Sequence, residues 1–397
     1  MFLKSFRRSV NLGALSIGCV CLLTFQFECV FGQSFSTRSA WWPFQSTTEN
    51  SEPSPNDSET PINSTNASAN NLKQFKVYWN IPTTQCQKYG LNFSQVSSYG
   101  IVQNNNDDFR GEEIALLYDP GEFPALLHGG SQRIKRNGGL PQEGDLQRHL
   151  HLFEKHLTEK LVPDSNFNGV GIIDFEHWRP VFHQNFGSLE DYRAESKDLV
   201  RKQHPFWSAD AVEQEAARSF DKAAQEFFVA TLKSAKRLRP YGKWGYYGFP
   251  LCFNFTPHNN RAKCKASIIK DNDRINWLFS GSGAIYPSLY YKKNGLTLDQ
   301  RAEFMAGRTI EAVRLAQGTP VIPYTWLKYY DQTSEFVTKG DFLNSIRVPK
   351  KHGAAGIIIW GASKDVNSEK RCKQMLDFLE TVVGPVVQQM QGKNGDG

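Results

Sequence analysis

The sequence predicts an α/β fold in which a parallel sheet closes into a single (β/α) barrel. Three observations lead there. Short apolar runs alternate with longer helical stretches from Phe75 onward. No Gly-rich phosphate turn follows the first run, which disfavours an open doubly wound sheet. Several runs end in carboxylates or aromatic rings, and a barrel carries its chemistry at the C-terminal ends of its strands.

Residues 1–32 have the form of a secretory signal, with Lys4, Arg7 and Arg8 at the basic start and an apolar core from Leu12 to Phe25. That core is shorter than the ~20 residues a membrane span needs. The expected product is therefore secreted, extracellular and without a membrane span. Residues 33–72 are rich in Ser, Thr, Asn, Pro and Glu, too poor in apolar side chains to build a core. They read as a disordered, glycosylated leader with acceptor sequons at Asn56, Asn63 and Asn66; Asn92 and Asn254 head two more.

The barrel is placed at 73–390. Its expected strands are Lys76–Pro82, Ile114–Asp119, Val170–Glu176, Trp244–Pro250, Ala284–Tyr290, Val321–Trp326 and Ala355–Trp360. Helices are expected from Asp145 towards Leu161, from Ser188 to Gln203, from the cap Ser208 to Arg239, from Thr297 to Ala316 and from Ser368 to Val383.

Composition excludes some functions. Net charge is +6 with no Lys/Arg block and no nucleic-acid motif, so a nucleic-acid partner is not expected. A mildly basic chain remains compatible with a polyanionic substrate. No Cys/His cluster has metal-ligand spacing, and neither metal nor cofactor is expected. His149, His151 and His156 fall on one expected helix at offsets that share no face, and read as surface residues. Nine tryptophans and 13% aromatic residues suit either a large core or a groove that stacks on sugar rings.

The chemistry concentrates in Gly169-Val-Gly-Ile-Ile-Asp-Phe-Glu-His-Trp-Arg-Pro180. Asp174 and Glu176 sit two apart on a strand, so both project to one face, about 6–7 Å apart at their Cα atoms. Two carboxyls that close cannot both ionise freely, and one is held protonated as an acid, as glycoside hydrolysis requires. Taken alone, two solvated acids at a strand end would look the same. Tyr118-Asp119, Tyr246-Tyr247, Tyr290 and Trp360 also lie at or near strand ends. One such aromatic is ordinary packing; their recurrence on successive strands points to a carbohydrate groove.

Four cysteines follow the signal, and an even number in a secreted chain suggests disulfides with three possible connectivities. The spacing of Cys252 and Cys264 favours a local bridge, leaving Cys86 to meet Cys372.

Several blocks resemble the hyaluronidases of glycoside hydrolase family 56. They are Phe75-Lys-Val-Tyr-Trp-Asn-Ile-Pro, Leu117-Tyr-Asp-Pro-Gly-Glu-Phe-Pro-Ala-Leu, Arg136-Asn-Gly-Gly-Leu-Pro-Gln, Ile172-Ile-Asp-Phe-Glu-His-Trp-Arg-Pro, Trp244-Gly-Tyr-Tyr-Gly-Phe-Pro-Leu-Cys-Phe-Asn, Pro287-Ser-Leu-Tyr and Ile358-Ile-Trp-Gly. The likeness runs in order from Phe75 to about Val387 and is strongest to venom hyaluronidases of bees and wasps and to salivary relatives. It implies a distorted, TIM-like barrel of seven strands with bridges Cys86–Cys372 and Cys252–Cys264. It also implies endo-hydrolysis of the β-1,4 bond between N-acetylglucosamine and glucuronate in hyaluronan, with chondroitin a weaker substrate, by a monomer. By the same resemblance the acid/base falls on Glu176, its partner on Asp174 and the acetamido contact on Tyr247. Groove residues fall on Tyr118, Asp119, Arg179, Tyr290, Arg308 and Trp360. For Arg179 a buried structural ion pair is an equal alternative. Leu251 departs from relatives, which carry Asp or Tyr before the cysteine. The Asp-rich strand motif of chitinase-like barrels is absent. A hyaluronan-binding relative without turnover is the other reading.

Overall fold

A computed structural model describes residues 75–129 and 132–392. The expected signal, the leader and the sequons at Asn56, Asn63 and Asn66 lie outside them. The strands in chain order are β1 (Lys76–Asn80), β2 (Ile114–Tyr118), β3 (Ala125–Gly129), β4 (Gln132–Arg136), β5 (Val170–Asp174), β6 (Lys243–Tyr246), β7 (Tyr324–Trp326), β8 (Lys328–Tyr329), β9 (Gln332–Phe336) and β10 (Gly356–Trp360). The helices are α1 (Leu146–His156), α2 (Glu190–Gln203), α3 (Ala209–Leu238), α4 (Ala266–Arg274), α5 (Asn276–Gly281), α6 (Leu298–Ala316), α7 (Lys339–Lys351), α8 (Glu369–Phe378) and α9 (Gly384–Met390).

Two three-stranded parallel sheets, β2-β5-β6 and β1-β10-β7, carry the architecture. The segment 284–290 joins them through single parallel bridges, Tyr247 to Tyr286, Ile285 to Val321 and Ser288 to Tyr324. The order is thus β2, β5, β6, 284–290, β7, β10, β1. All seven expected strands take their places, with 284–290 held by isolated bridges instead of a regular ladder. Among the described residues no ladder joins β1 to β2. That seam holds a bridge from Tyr78 to Val102 and a bond from Asn80 Nδ2 to the Phe109 carbonyl (3.1 Å).

The period-2 pattern of each strand divides two cores. Tyr78, Ile114, Leu116, Val170, Ile172, Tyr286, Tyr324 and Ile358 form the inner one. The alternate residues Val77, Trp79, Ile357 and Ile359 join the outer core beneath the helices. At Gly171 an added Cβ would lie 2.4 Å from the Trp244 ring, so only glycine lets β5 and β6 pack there. Register then sets the site: Tyr118 lies opposite Asp174, and Trp360 opposite Trp326, at one end of the strands.

Four expected helix starts are capped, Ser208 as expected. Asp145, Ser208, Thr297 and Ser368 each accept a backbone N–H of the first turn, Thr297 within a capping box with Gln300. The helix expected from Ser188 begins instead at Glu190, after Leu189. Helices α4, α5 and α7, the continuation of the last helix into α9, and the hairpins β3–β4 and β8–β9 lie outside the expected elements. Pro349 in the last turn of α7 obscures a helix that Thr338 opens by accepting from Asp341 N (3.1 Å).

Both disulfides form: Cys86–Cys372, 286 residues apart, ties the entry of the barrel to α8, and Cys252–Cys264 closes a local loop. Two expectations are corrected. His149 is not a surface residue but fully buried on α1, its ring tilted against that of Phe123 with centroids 4.0 Å apart. Its Nδ1 accepts from Glu122 N (3.0 Å), and its Nε2 lies 2.8 Å from the Thr231 hydroxyl, which donates to the Phe227 carbonyl. Asn254 is 1% exposed, with Nδ2 donating to the Ala262 and Phe304 carbonyls (2.9 and 3.0 Å), so the folded chain offers no acceptor there. Asn92 is exposed, its Oδ1 accepting from Ser94 N (2.8 Å).

Candidate active site

The inner face of β5 reads Val170, Ile172, Asp174, and Glu176 continues it one step past the strand. The two carboxyls are hydrogen-bonded to each other. Burial, followed by the charge of Glu176 and of Asp119, pushes Asp174 well above the usual carboxylate range. Burial also raises Glu176, against the opposing charges of Arg179 and His177. Glu176 is reached by solvent although protein crowds it on all sides, the situation of a residue on a groove floor. Two adjoining carboxyls that are both raised favour holding one proton between them.

Aromatic residues line this floor. Tyr118, at the end of β2, is 40% exposed, stacks on Phe109 (5.9 Å) and accepts from Trp360 Nε1 (2.7 Å). Trp360, at the end of β10, stacks on Tyr290 (5.6 Å) and meets Trp326 edge-on (5.3 Å). Tyr247 follows β6, its N–H bonded to the Ile173 carbonyl (3.0 Å), which places it beside Asp174. Its hydroxyl donates to Ser288 Oγ (3.2 Å), and its ring lies tilted against that of Tyr290 (6.2 Å). Tyr324 packs edge-on beneath Tyr247 (5.1 Å), and its buried hydroxyl has no hydrogen-bond partner among the described residues.

The cationic residues are more committed than the sequence suggests. Arg308 donates to Asn254 Oδ1 (3.1 Å) and the Ser288 carbonyl (2.9 Å), and lies over the Phe304 ring (4.1 Å). It therefore buttresses the segment that carries Ser288 and Tyr290. Arg179 donates to the Gln184 carbonyl and lies over Phe186 and Phe253 (5.0 and 5.6 Å). Burial brings both guanidinium groups down to about 10, against the charge of Glu176 for Arg179 and of Tyr247 for Arg308. Asp119 is clamped by Arg136 through both carboxylate oxygens (2.5 and 2.9 Å) and contacts His177 Nε2 (3.2 Å). Although burial acts to raise it, these contacts hold its carboxyl below the usual range.

The site thus gathers all nine residues assigned from the sequence resemblance at one end of the sheet. The sequence profile of the hyaluronidases, glycoside hydrolase family 56, matches residues 64–393. The chain belongs to this hyaluronidase family. A hyaluronidase from Apis mellifera is 45% identical over 340 residues, 84% of this chain and 88% of its own. The crystal structure of bee venom hyaluronidase in complex with a hyaluronic acid tetramer matches with a TM-score of 0.78 at 46% identity, over 80% of this chain and 99% of that one. An inactive hyaluronidase B from Vespula vulgaris is 39% identical over 320 residues, 79% of this chain and 93% of its own. The fold of this hyaluronidase chain is accordingly the α/β, TIM-like barrel that the resemblance implied.

Arg136, His177, Ser288, Tyr324 and Trp326 belong to the hyaluronidase site without having been singled out in the sequence. Arg136 and Ser288 lie in the blocks Arg136-Asn-Gly-Gly-Leu-Pro-Gln and Pro287-Ser-Leu-Tyr but carry no periodic signal, because the first comes from a hairpin and the second from an irregular strand. Leu251, the departure from relatives, is half-buried and its carbonyl accepts from Asn272 Nδ2 (2.9 Å). Among the described residues no group of three or more metal-ligating side chains occurs and no helix is long and apolar enough to cross a membrane.

Proposed function

We propose that this chain is a secreted, monomeric endo-hydrolase of hyaluronan, with weaker action on chondroitin, that opens extracellular matrix as a spreading factor in venom or saliva. The observation that carries the proposal is the hydrogen-bonded Asp174–Glu176 pair on the floor of an aromatic groove. The groove residues Tyr118, Tyr290 and Trp360 face the sugar rings, and Trp360 forms the apolar wall for the N-acetyl group.

The chemistry follows from the shared proton. When the acetamido N–H of the substrate donates to Asp174, it favours the anionic form of Asp174, and the proton passes to Glu176. Glu176 gives that proton to the leaving glycosidic oxygen while the acetamido carbonyl oxygen attacks the anomeric carbon, held in line by the Tyr247 hydroxyl, which turns from Ser288 Oγ to donate to it. Water then opens the cyclic intermediate and loses a proton to Glu176. Two displacements at one carbon retain its configuration, and the substrate supplies the nucleophile. Asp174 stabilises the positive charge that develops on the acetamido group. Arg179 and Arg308 bear the positive field that favours a polyanionic chain.

The test is product analysis of hyaluronan incubated with the purified protein. Even-numbered oligosaccharides with N-acetylglucosamine at the reducing end are expected. Binding of the polymer without products would favour the silent-binder reading, which the inactive wasp relative at 39% identity keeps in view.

A further inference from the structure

We infer that His177 is a positioning residue, which ties the peptide carrying Glu176 to the end of β2 through Asp119 and Arg136. This inference rests on the hydrolase reading above.

The geometry is a bracket. Asp119 donates its backbone N–H to the Asp174 carbonyl (2.7 Å), two residues before Glu176, and its carboxylate meets His177 Nε2 (3.2 Å), one residue after. The same residue therefore grips the β5 segment on both sides of Glu176. Arg136 fixes Asp119 in turn through both carboxylate oxygens and donates its Nε to the Phe123 carbonyl (2.8 Å). Asp119 has φ 40°, a left-handed conformation that costs a residue with a Cβ and persists where its surroundings fix it. Glu176 lies beyond the last ladder bond of β5, so strand pairing does not hold its peptide. The bracket supplies that missing restraint.

Asp119 thus acts through its neighbours, where the resemblance gave it a place among substrate contacts. His177 also sets charge near the acid. Glu176 is faced by Asp174, His177 and Arg179 from its own segment, by Tyr118 from β2 and by Tyr247 from the end of β6. A cation at 177 favours the ionised carboxylate and its loss favours the protonated one.

The experiment compares hyaluronan hydrolysis by the full-length protein with that by His177→Leu and His177→Arg, from pH 4 to 8. His177→Leu is expected to lower kcat about tenfold with KM changed less than about twofold, because a restraint on the acid is lost and substrate contacts are kept. His177→Arg, which can still donate to Asp119, is expected to recover most of the kcat. The alkaline limb of the His177→Leu profile should lie higher than that of His177→Arg, by on the order of one pH unit. If His177→Leu folds poorly, the comparison of His177→Arg with His177→Gln reads the same limb. Unchanged kcat and superimposed profiles in variants of an active enzyme would overturn the bracket alone. An inert natural protein would overturn the hydrolase reading and the bracket together.

Discussion

The buried His149 should make this fold acid-labile in a way that can be dissected. Burial among Phe123, Phe153 and Phe227 pushes its pKa down to about 3, below a free value of 6.5. Between those values the folded ring stays neutral while the unfolded ring takes up a proton. The unfolded state then binds more protons, so stability falls as pH drops through the window, by up to about 1.4 kcal/mol per pH unit. At pH 4.5, two units below the free value, the loss from this one residue is about 2.7 kcal/mol. Gln at 149 retains polar atoms for Glu122 N and Thr231 but cannot titrate. At pH 7 the variant should be less stable by about 2 kcal/mol, from lost ring packing and a poorer fit. That deficit should shrink and close near pH 5. The assay is urea unfolding followed by tryptophan fluorescence at pH 4.5, 5.5 and 7. A deficit that stays constant across the three would refute the reasoning.

Two further outcomes follow from the same structure. Removing the Cys86–Cys372 bridge by paired alanines should cost about 6 kcal/mol as an upper value, against about 3 for Cys252–Cys264, because the first closes a loop of 286 residues and the second one of 12. Comparable losses measured by denaturant unfolding would show that chain entropy is not the cause. Asp174→Asn should lower kcat by about a hundredfold and change KM far less, since its charge matters where positive charge develops; steady-state kinetics giving a KM effect alone would place Asp174 in ground-state binding instead.

Much of this site could be read from spacing. Asp174 and Glu176 share parity on a strand, and parity alone put them side by side. Tyr118, Tyr290 and Trp360 each end an apolar run, and the register of parallel strands brings run ends to one level. The caps at Asp145, Ser208, Thr297 and Ser368 were legible for a local reason: the capping hydroxyl or carboxylate sits within four residues of the N–H it satisfies. What could not be read depends on distant contacts. His149 and His156 lie on one helix, yet only tertiary packing decides that the first meets Phe123 and Thr231. Asn254 fits the acceptor motif, but the carbonyls of Ala262 and Phe304 that consume its amide come from elsewhere in the chain. The carboxylate of Asp119 gave no hint that Arg136, on a hairpin not anticipated, would claim both its oxygens.

Glu176 is the acid and base on which turnover depends. The most direct measurement is the rate of reducing-end release from hyaluronan by Glu176→Gln beside the natural protein, with polymer binding measured in parallel. Binding should stay intact and turnover should fall by about a thousandfold or more, at every pH from 4 to 8. Turnover equal to that of the natural protein would contradict that role.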